Sequence, residues 1–235
     1  MIRAVKGTRD LLPPTTTVWN HVEAVAHQVF RVYNYREIRT PIFEETLLFA
    51  RGVGEETDIV TKEMYTFTDR DGSSLTLRPE ATASVVRAYL EHRLDQRPGL
   101  TKLYYLGPMF RRERPQKGRY RQFYQIGAEA IGSLEPVVDA EVIELAVELL
   151  RRAGLEGFAV LLNSVGCPKC RGAYVGELRE KLREVAPSLC ADCQRRAETN
   201  PLRVLDCKIP KDQPIIEKLP AILEMLCAAC AAHLG

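Results

Sequence analysis

The chain has 235 residues, with 33 Lys and Arg against 31 Asp and Glu, a formal net charge of +2, and 46% hydrophobic residues, enough for an ordinary core. This balance excludes a charged disordered protein and leaves no overall basic footprint for nucleic acid, so a polyanion must be bound locally. The chain contains no run of about 18 apolar residues, the length needed to cross a membrane. The charges in the first ten residues do not fit a signal peptide. We therefore expect a soluble, cytoplasmic protein with no membrane association.

The first part of the chain alternates helix and strand signals. Apolar residues recur at helical spacing over 18–33 and predict a helix. Residues 36–44 alternate as a strand does, but Pro41 cannot donate to a ladder and so indicates an edge or an interface. A short helix is predicted from Leu47 to Gly52.

The middle of the chain carries a hairpin signal and then longer strands. Asp71-Gly72 separates two β-rich runs, 64–68 and 75–78, which predicts a hairpin. The next helix opens at Pro79 and runs to about Leu94, since proline fits the first helical turn. The following elements are predicted in this order: strands over 102–112 and 121–131, a helix over 139–152 and a strand over 158–162.

The composition changes near residue 164. All seven cysteines lie after residue 166, in a region with helical patterns over 173–186 and 214–233. We predict two domains, 1–163 and 164–235, the second of them small and mainly helical. Antiparallel strands with interspersed helices in the first domain indicate an α+β fold and not a doubly wound parallel sheet.

The connection between the two long strands is strongly basic. Residues 111–121 hold six positive charges and one negative charge. Arginine forks grip phosphate bidentately, but charge runs usually face water, so charge alone favours a solvated hairpin. The returning strand shifts this balance, because Gln125 and Glu129 fall at even spacing and share one face. A phosphate and an ammonium group could be held together there.

Glu80 and Thr82 follow a predicted strand and open a predicted helix. A carboxylate at this position can stabilise the helix N-terminus. It can equally answer the ammonium group of a ligand, and the local sequence leaves both interpretations open.

Several segments, in order, resemble the class II aminoacyl-tRNA synthetases, and the histidyl-tRNA synthetase family in particular. Residues 107–123 (GPMFRRERPQKGRYRQF) resemble motif 2, residues 38–44 (IRTPIFE) resemble motif 1, and residues 77–82 (LRPEAT) resemble the histidine-binding segment. The likeness runs over essentially the whole chain, including residues 6–10 (KGTRD) and 200–206 (NPLRVLD). Several long motifs in order are far more specific than one short pattern.

The resemblance implies a class II catalytic core, an antiparallel sheet flanked by helices, and it implies roles for named residues. Arg111 would be catalytic, holding the ATP α-phosphate and stabilising charge during adenylate formation. Glu113 would contact the adenine end, and Arg119 and Tyr120 would meet ATP and the acceptor end of tRNA-His. Pro41 and its strand would lie in a homodimer interface, and Mg²⁺ would accompany ATP. Histidine would be bound by Glu80, Thr82, Gln125 and Glu129.

The implied function is histidine–tRNA ligase, the ATP-dependent activation of histidine and its transfer to tRNA-His. The family continues with an Arg-Gly-x-Asp-Tyr-Tyr segment, motif 3 and an anticodon-binding domain, none of which occurs in residues 1–235. We therefore expect an N-terminal portion that does not charge tRNA by itself. The alternatives are a synthetase-like regulatory subunit of ATP phosphoribosyltransferase and a zinc-bearing RNA-binding module; the complete basic loop favours the enzyme.

Two CxxC pairs predict a structural zinc site. Each pair, Cys167 with Cys170 and Cys190 with Cys193, can chelate as a tight turn, and together the pairs could complete a tetrahedron. The alternative is four free thiols. A redox pair is disfavoured, because no thioredoxin-like βαβ pattern surrounds either one.

The remaining cysteines are assigned to packing. Cys227 and Cys230 lie in an Ala- and Leu-rich run, where we expect them to pack as small apolar side chains. Cys207 is expected to be either core or a spare ligand.

Overall fold

A computed structural model of the chain describes residues 2–53, 63–113 and 118–235. The chain forms two compact units, residues 1–158 and 159–235. The division therefore falls slightly before the predicted domain boundary at 163/164. Of the helices in the described ranges, none combines the length and the apolar character needed to span a bilayer.

The larger unit interleaves helices with strands. In chain order these are α1 (Thr15–Val32), β1 (Arg36–Glu37), β2 (Phe43–Glu45), α2 (Thr46–Val53), β3 (Tyr65–Thr68), β4 (Ser74–Leu77), α3 (Thr82–Glu91), β5 (Thr101–Phe110), β6 (Gln122–Ile131) and α4 (Pro136–Arg152). One sheet has the order β1-β5-β6, in which β1 is parallel to β5 and β5 is antiparallel to β6. The second sheet, β2-β4-β3, is antiparallel. The predicted α+β class is confirmed.

The core of the larger unit lies between α1, α4 and one face of the first sheet. The apolar stripe of α1 buries Val29 and Phe30, and the Phe30 ring stacks on Tyr104 of β5 with centroids 4.2 Å apart. From α4, Leu145 joins the same cluster. Burying a side chain such as Phe30 contributes about 1.5–3 kcal/mol. Because side chains alternate along a strand, Tyr105 points to the opposite face, away from this core.

Two predicted strands differ from the observed backbone. Residues 36–44 form no single strand, because β1 and β2 belong to different sheets with Pro41 between them. Proline has no N–H to donate, so pairing stops there. Residues 158–162 are not a strand, and Leu161 is 92% exposed.

The smaller unit is mainly helical, with α5 (Pro168–Val185), α6 (Ala191–Thr199), α7 (Gln213–Ile216) and α8 (Ala228–Leu234). The single helix predicted over 214–233 is wrong: a 3₁₀ turn at Ile222–Met225 separates α7 from α8. Pro220 explains the interruption, since proline lacks an N–H and restrains the residue before it. Tyr174, Leu178 and Leu182 of α5 form the centre of the unit's core.

Candidate active site

The junction between β4 and α3 is bound to the end of β5. The Phe110 N–H donates to the Arg78 carbonyl at 3.0 Å, and Arg111 Nε donates to the Pro79 carbonyl at 2.9 Å. The Arg111 guanidinium also lies over the Phe123 ring, 5.2 Å from its centroid. These contacts orient the Arg111 side chain through its Nε atom and through the Phe123 ring.

Glu80 stabilises the N-terminus of α3. Its carboxylate accepts hydrogen bonds from the backbone N–H of Thr82 at 2.7 Å and of Ala83 at 3.1 Å. The first N–H groups of a helix have no intrahelical partners, so these hydrogen bonds stabilise the helix, which is one of the two roles that the sequence left open for Glu80. The Thr82 hydroxyl donates in turn to Glu129 Oε1 at 2.7 Å, which joins α3 to β6.

The sheet face opposite the core carries Gln125 and Glu129, two of the residues predicted to bind histidine. Gln125 pairs with Gly107, and Gly127 pairs with Tyr105, so Gln125 and Glu129 lie on one face, as their spacing predicted. Gln125 Oε1 is buried and has no hydrogen-bond partner among the described residues. A buried amide oxygen of this kind is costly unless a ligand donates to it. The structure therefore brings Glu80, Thr82, Gln125 and Glu129 to the same side of the sheet, next to Arg111.

The surroundings of Glu129 change its acidity. Burial raises the pKa of the Glu129 carboxyl, the hydrogen bond from Thr82 opposes this, and the negative charge of Glu80 adds to it. A carboxylate that has lost water and sits near a second carboxylate gains from a bound cation. The pair can thus receive an ammonium or imidazolium group.

The basic loop is held on both arms. Glu113 accepts from Arg119 Nη1 at 3.2 Å, so two of the four residues predicted to contact ATP form an ion pair with each other. Arg9 Nη1 donates to the Tyr120 hydroxyl at 3.2 Å, and its guanidinium lies 4.5 Å from the centre of the Tyr120 ring. Residues 114–117 lie outside the described residues, and they hold two of the six positive charges.

A separate groove of about 1230 Å³ runs between α2 and α3. Its lining includes Glu80 and Thr82, but it does not include Arg111, Gln125 or Glu129. We therefore place the candidate site on the sheet face and not in this groove.

The cysteines are grouped differently from the prediction. Cys167 and Cys170 lie with Cys227 and Cys230, while Cys190 and Cys193 lie with Cys207 and Asp212. The predicted ligand set of Cys167, Cys170, Cys190 and Cys193 is therefore wrong as a set, because its two halves belong to different groups. Cys227 and Cys230 do not pack as isolated apolar side chains, since their sulfurs meet those of the first pair.

Comparison with known proteins identifies the family. The family described as Histidyl-tRNA synthetase matches residues 7–171. The chain belongs to the histidyl-tRNA synthetase family. It is 74% identical over 233 residues to a Histidine–tRNA ligase of Solibacter usitatus and 62% identical over 244 residues to one of Koribacter versatilis, covering 99% of this chain in both cases. The chain spans about half the length of these curated relatives, 56% and 55%.

Solved structures agree with this family. Apo histidyl-tRNA synthetase of Staphylococcus aureus matches with a TM-score of 0.75 and 40% identity, over 99% of this chain and 52% of the other. An ATP phosphoribosyltransferase regulatory subunit/histidyl-tRNA synthetase of Bacillus halodurans matches with a TM-score of 0.63 and 24% identity, over 96% of this chain and 65% of the other. At that identity the second likeness shows the fold alone.

Three residues that lie against the candidate site were missed by reasoning from the sequence. Tyr105 lies across Gly127 and contacts Thr82; Arg78 lies over Gly107; and Arg9 holds Tyr120. A Cβ at either glycine would collide with the side chain above it. The available signal was glycine inside a strand at positions 107 and 127, which marks a close approach by another group.

Proposed function

We propose that this chain supplies the histidine- and ATP-binding part of a histidine–tRNA ligase. One set of contacts carries the proposal: Arg111 is fixed to the Pro79 carbonyl, Glu80 to the first N–H groups of α3, and Thr82 to Glu129. These contacts hold the Arg111 guanidinium on the same side of the sheet as the carboxylates of Glu80 and Glu129, which supports a role for Arg111 in binding phosphate. ATP and an amino acid need that juxtaposition to react.

In this proposal the polar face binds histidine. Glu129 and Glu80 accept hydrogen bonds from its ammonium and imidazole N–H groups, and Thr82 orients Glu129. The buried oxygen of Gln125 accepts a further hydrogen bond from the substrate. Tyr105, lying over Gly127, forms a wall beside Thr82. Two charged acceptors in a half-buried site favour a cationic amino acid over a neutral one.

Arg111 then acts on the reacting phosphate. The histidine carboxylate attacks the ATP α-phosphorus, the bond from that phosphorus to the oxygen that bridges it to the β-phosphate breaks, and pyrophosphate leaves. Mg²⁺ would accompany ATP and would supply further charge neutralisation. The guanidinium neutralises the charge that builds up on the α-phosphate oxygens in the transition state. Holding both substrates in line supplies much of the remaining rate.

The proposal extends to the loop and to the assembly. ATP would separate Glu113 from Arg119, so that Glu113 meets the adenine end while Arg119 and Tyr120 meet ATP and the acceptor end of tRNA-His. The segment around Pro41 would lie in a homodimer interface. The protein would act in the cytoplasm.

Calorimetric titration of the chain with L-histidine tests the site. We expect Glu129→Gln and Thr82→Val each to weaken binding by roughly 10-fold or more, because a hydrogen bond to a charged group is worth about 1.5–3 kcal/mol. The matched control is Glu37→Gln, a carboxylate on β1 of the same sheet that pairs with Arg39 on the surface. Unchanged affinity in Glu129→Gln would show that histidine binds elsewhere.

A further inference from the structure

Four cysteine sulfurs meet in the smaller unit. Cys167 Sγ lies 3.6 Å from Cys170 Sγ and 3.8 Å from Cys227 Sγ, and Cys170 Sγ lies 3.7 Å from Cys230 Sγ. All four sulfurs lie within 4.8 Å of one another. The two pairs are far apart in sequence, so the fold itself brings them together.

These distances match a tetrahedral zinc site. A Zn–S bond is about 2.3 Å, and a tetrahedron with arms of that length has edges of about 3.8 Å. Disulfide sulfurs would lie about 2.05 Å apart. The observed spacing therefore leaves room at the centre for one ion, and it is not that of two disulfides.

The backbone around the sulfurs supports this arrangement. Cys167 and Cys227 stand directly before α5 and α8, and Cys170 and Cys230 lie in the first turn of those helices. The Cys167 N–H donates to Cys170 Sγ at 3.2 Å. Gly166 has a φ of +63°, and a Cβ there would lie 2.8 Å from Cys170 Sγ, so only glycine fits beside that sulfur.

We propose that Cys167, Cys170, Cys227 and Cys230 bind one structural Zn²⁺. Four thiolates in a closed tetrahedron are the ligand set of structural zinc, and they leave no open position for catalysis. The ion would fasten the start of α5 to α8 across the smaller unit, whose size limits the stability that its apolar core can provide. This inference does not depend on the proposed ligase activity.

Zinc content of the chain purified without chelator tests the proposal. We expect Cys227→Ser/Cys230→Ser to lose one zinc ion per chain relative to the parent. Loading with Co²⁺ gives the parent the visible absorption of a tetrahedral thiolate site, and this band should fall in the variant. The ligand set that the sequence predicted gives the opposite result, because Cys227 and Cys230 are not part of it.

A second measurement needs no variant. The native chain is alkylated with and without a strong zinc chelator, and the labelled cysteines are mapped by mass spectrometry. We expect these four cysteines to be protected until the chelator is added. Equal labelling in both samples, or an unchanged zinc content in the double variant, would overturn the proposal.

An independent observation points to a second ion in the same unit. Asp212 is fully buried, and its Oδ1 has no hydrogen-bond partner among the described residues. Its Oδ2 accepts from the Cys190 N–H at 3.1 Å and from Cys207 Sγ at 3.3 Å. A buried carboxylate with an unused oxygen is unfavourable unless a cation lies beside it.

Three thiols surround this carboxylate. Cys190 stands directly before α6, Cys193 lies in its first turn, and both sulfurs lie within 4.8 Å of Cys207 Sγ and of a carboxylate oxygen of Asp212. The Ile209 N–H donates to Cys207 Sγ at 3.5 Å, which suits a thiolate. We infer that Cys190, Cys193, Cys207 and Asp212 bind a second Zn²⁺.

Substitution of Asp212 separates this ion from the first. We expect Asp212→Leu to lose one zinc ion per chain and Asp212→Cys to retain it, because a thiolate can replace the carboxylate as a ligand. The exposed neighbour provides the control, Asp206→Asn, which should keep the parent's zinc content. A full zinc content in Asp212→Leu would overturn the inference. If that variant does not fold, the alkylation experiment decides instead, and labelling of Cys190, Cys193 and Cys207 that is indifferent to the chelator would overturn it.

Discussion

Replacing Gly127 by alanine should damage the floor of the candidate site. A Cβ at Gly127 would overlap the outer ring atoms and hydroxyl of Tyr105, the residue paired with it across β5 and β6. The ring cannot yield cheaply, because overpacking a well-filled position typically costs about 1–3 kcal/mol. Alanine also reduces the conformational freedom of the unfolded chain, which offsets this cost by about 0.4–1 kcal/mol. We therefore expect Gly127→Ala to lower the free energy of unfolding by about 1–2 kcal/mol.

Urea unfolding followed by tryptophan fluorescence measures this change in the larger unit. Trp19 is the sole tryptophan of the chain, and its ring meets Tyr124 of β6 edge-on, with centroids 4.6 Å apart. The control is Gly176→Ala in α5, where a Cβ meets no atom within 4 Å. That change should leave the Trp19 transition in place and stabilise its own helix by about 1 kcal/mol.

A double-mutant cycle gives the decisive comparison. Tyr105→Leu removes the ring that a Cβ at Gly127 would strike, so the two changes together should cost less than the sum of their separate costs. The explanation is refuted if the two energies add to within about 0.5 kcal/mol, or if Gly127→Ala alone has no effect.

Two further predictions concern charged side chains that are partly or fully removed from water. Burial raises the pKa of the Glu129 carboxyl above its ordinary 4.5, so the folded chain binds more protons than the unfolded chain in the window above that value, and stability falls as pH rises through the window. We therefore expect Glu129→Gln to raise the midpoint of thermal unfolding at pH 7 and to change it less at pH 4; equal shifts at both pH values would contradict this. Arg78, 7% exposed, donates to the carbonyls of Pro108 at 2.9 Å and Thr40 at 3.0 Å. Arg78→Met should cost about 3 kcal/mol or more in the same urea assay, because it leaves these two part-buried carbonyls without their donor, whereas the exposed Arg97→Met should be nearly neutral.

Local sequence patterns predicted two kinds of element: those whose partner is close in the sequence, and those whose periodic pattern continues over many residues. The structure confirms the helix predicted from the apolar stripe of α1, the hairpin predicted from Asp71-Gly72, and the strand β6. Residues 158–162 have an apolar composition but no strand pairs with them in the described part of the chain. Composition alone does not reveal that a neighbouring strand is missing.

The candidate site was predictable only where it depends on spacing within one strand. Even spacing placed Gln125 and Glu129 on one face, but the position of Tyr105 depends on the register of β5 against β6, which the sequence leaves open. The choice of cysteine partners is likewise a long-range property. The spacing within each CxxC pair predicts chelation, but nothing in it says which pair meets which. Combining the two CxxC pairs that are nearest in the sequence therefore gave a ligand set that the fold does not bring together.

The meeting of Cys167 and Cys170 with Cys227 and Cys230 also makes the intervening segment exchangeable. The two ends of this segment meet at the four sulfurs. Residues between those ends can be lengthened, shortened or replaced by a different small fold while the two anchor points keep their separation. A lineage could therefore remodel this segment while the four cysteines keep their arrangement.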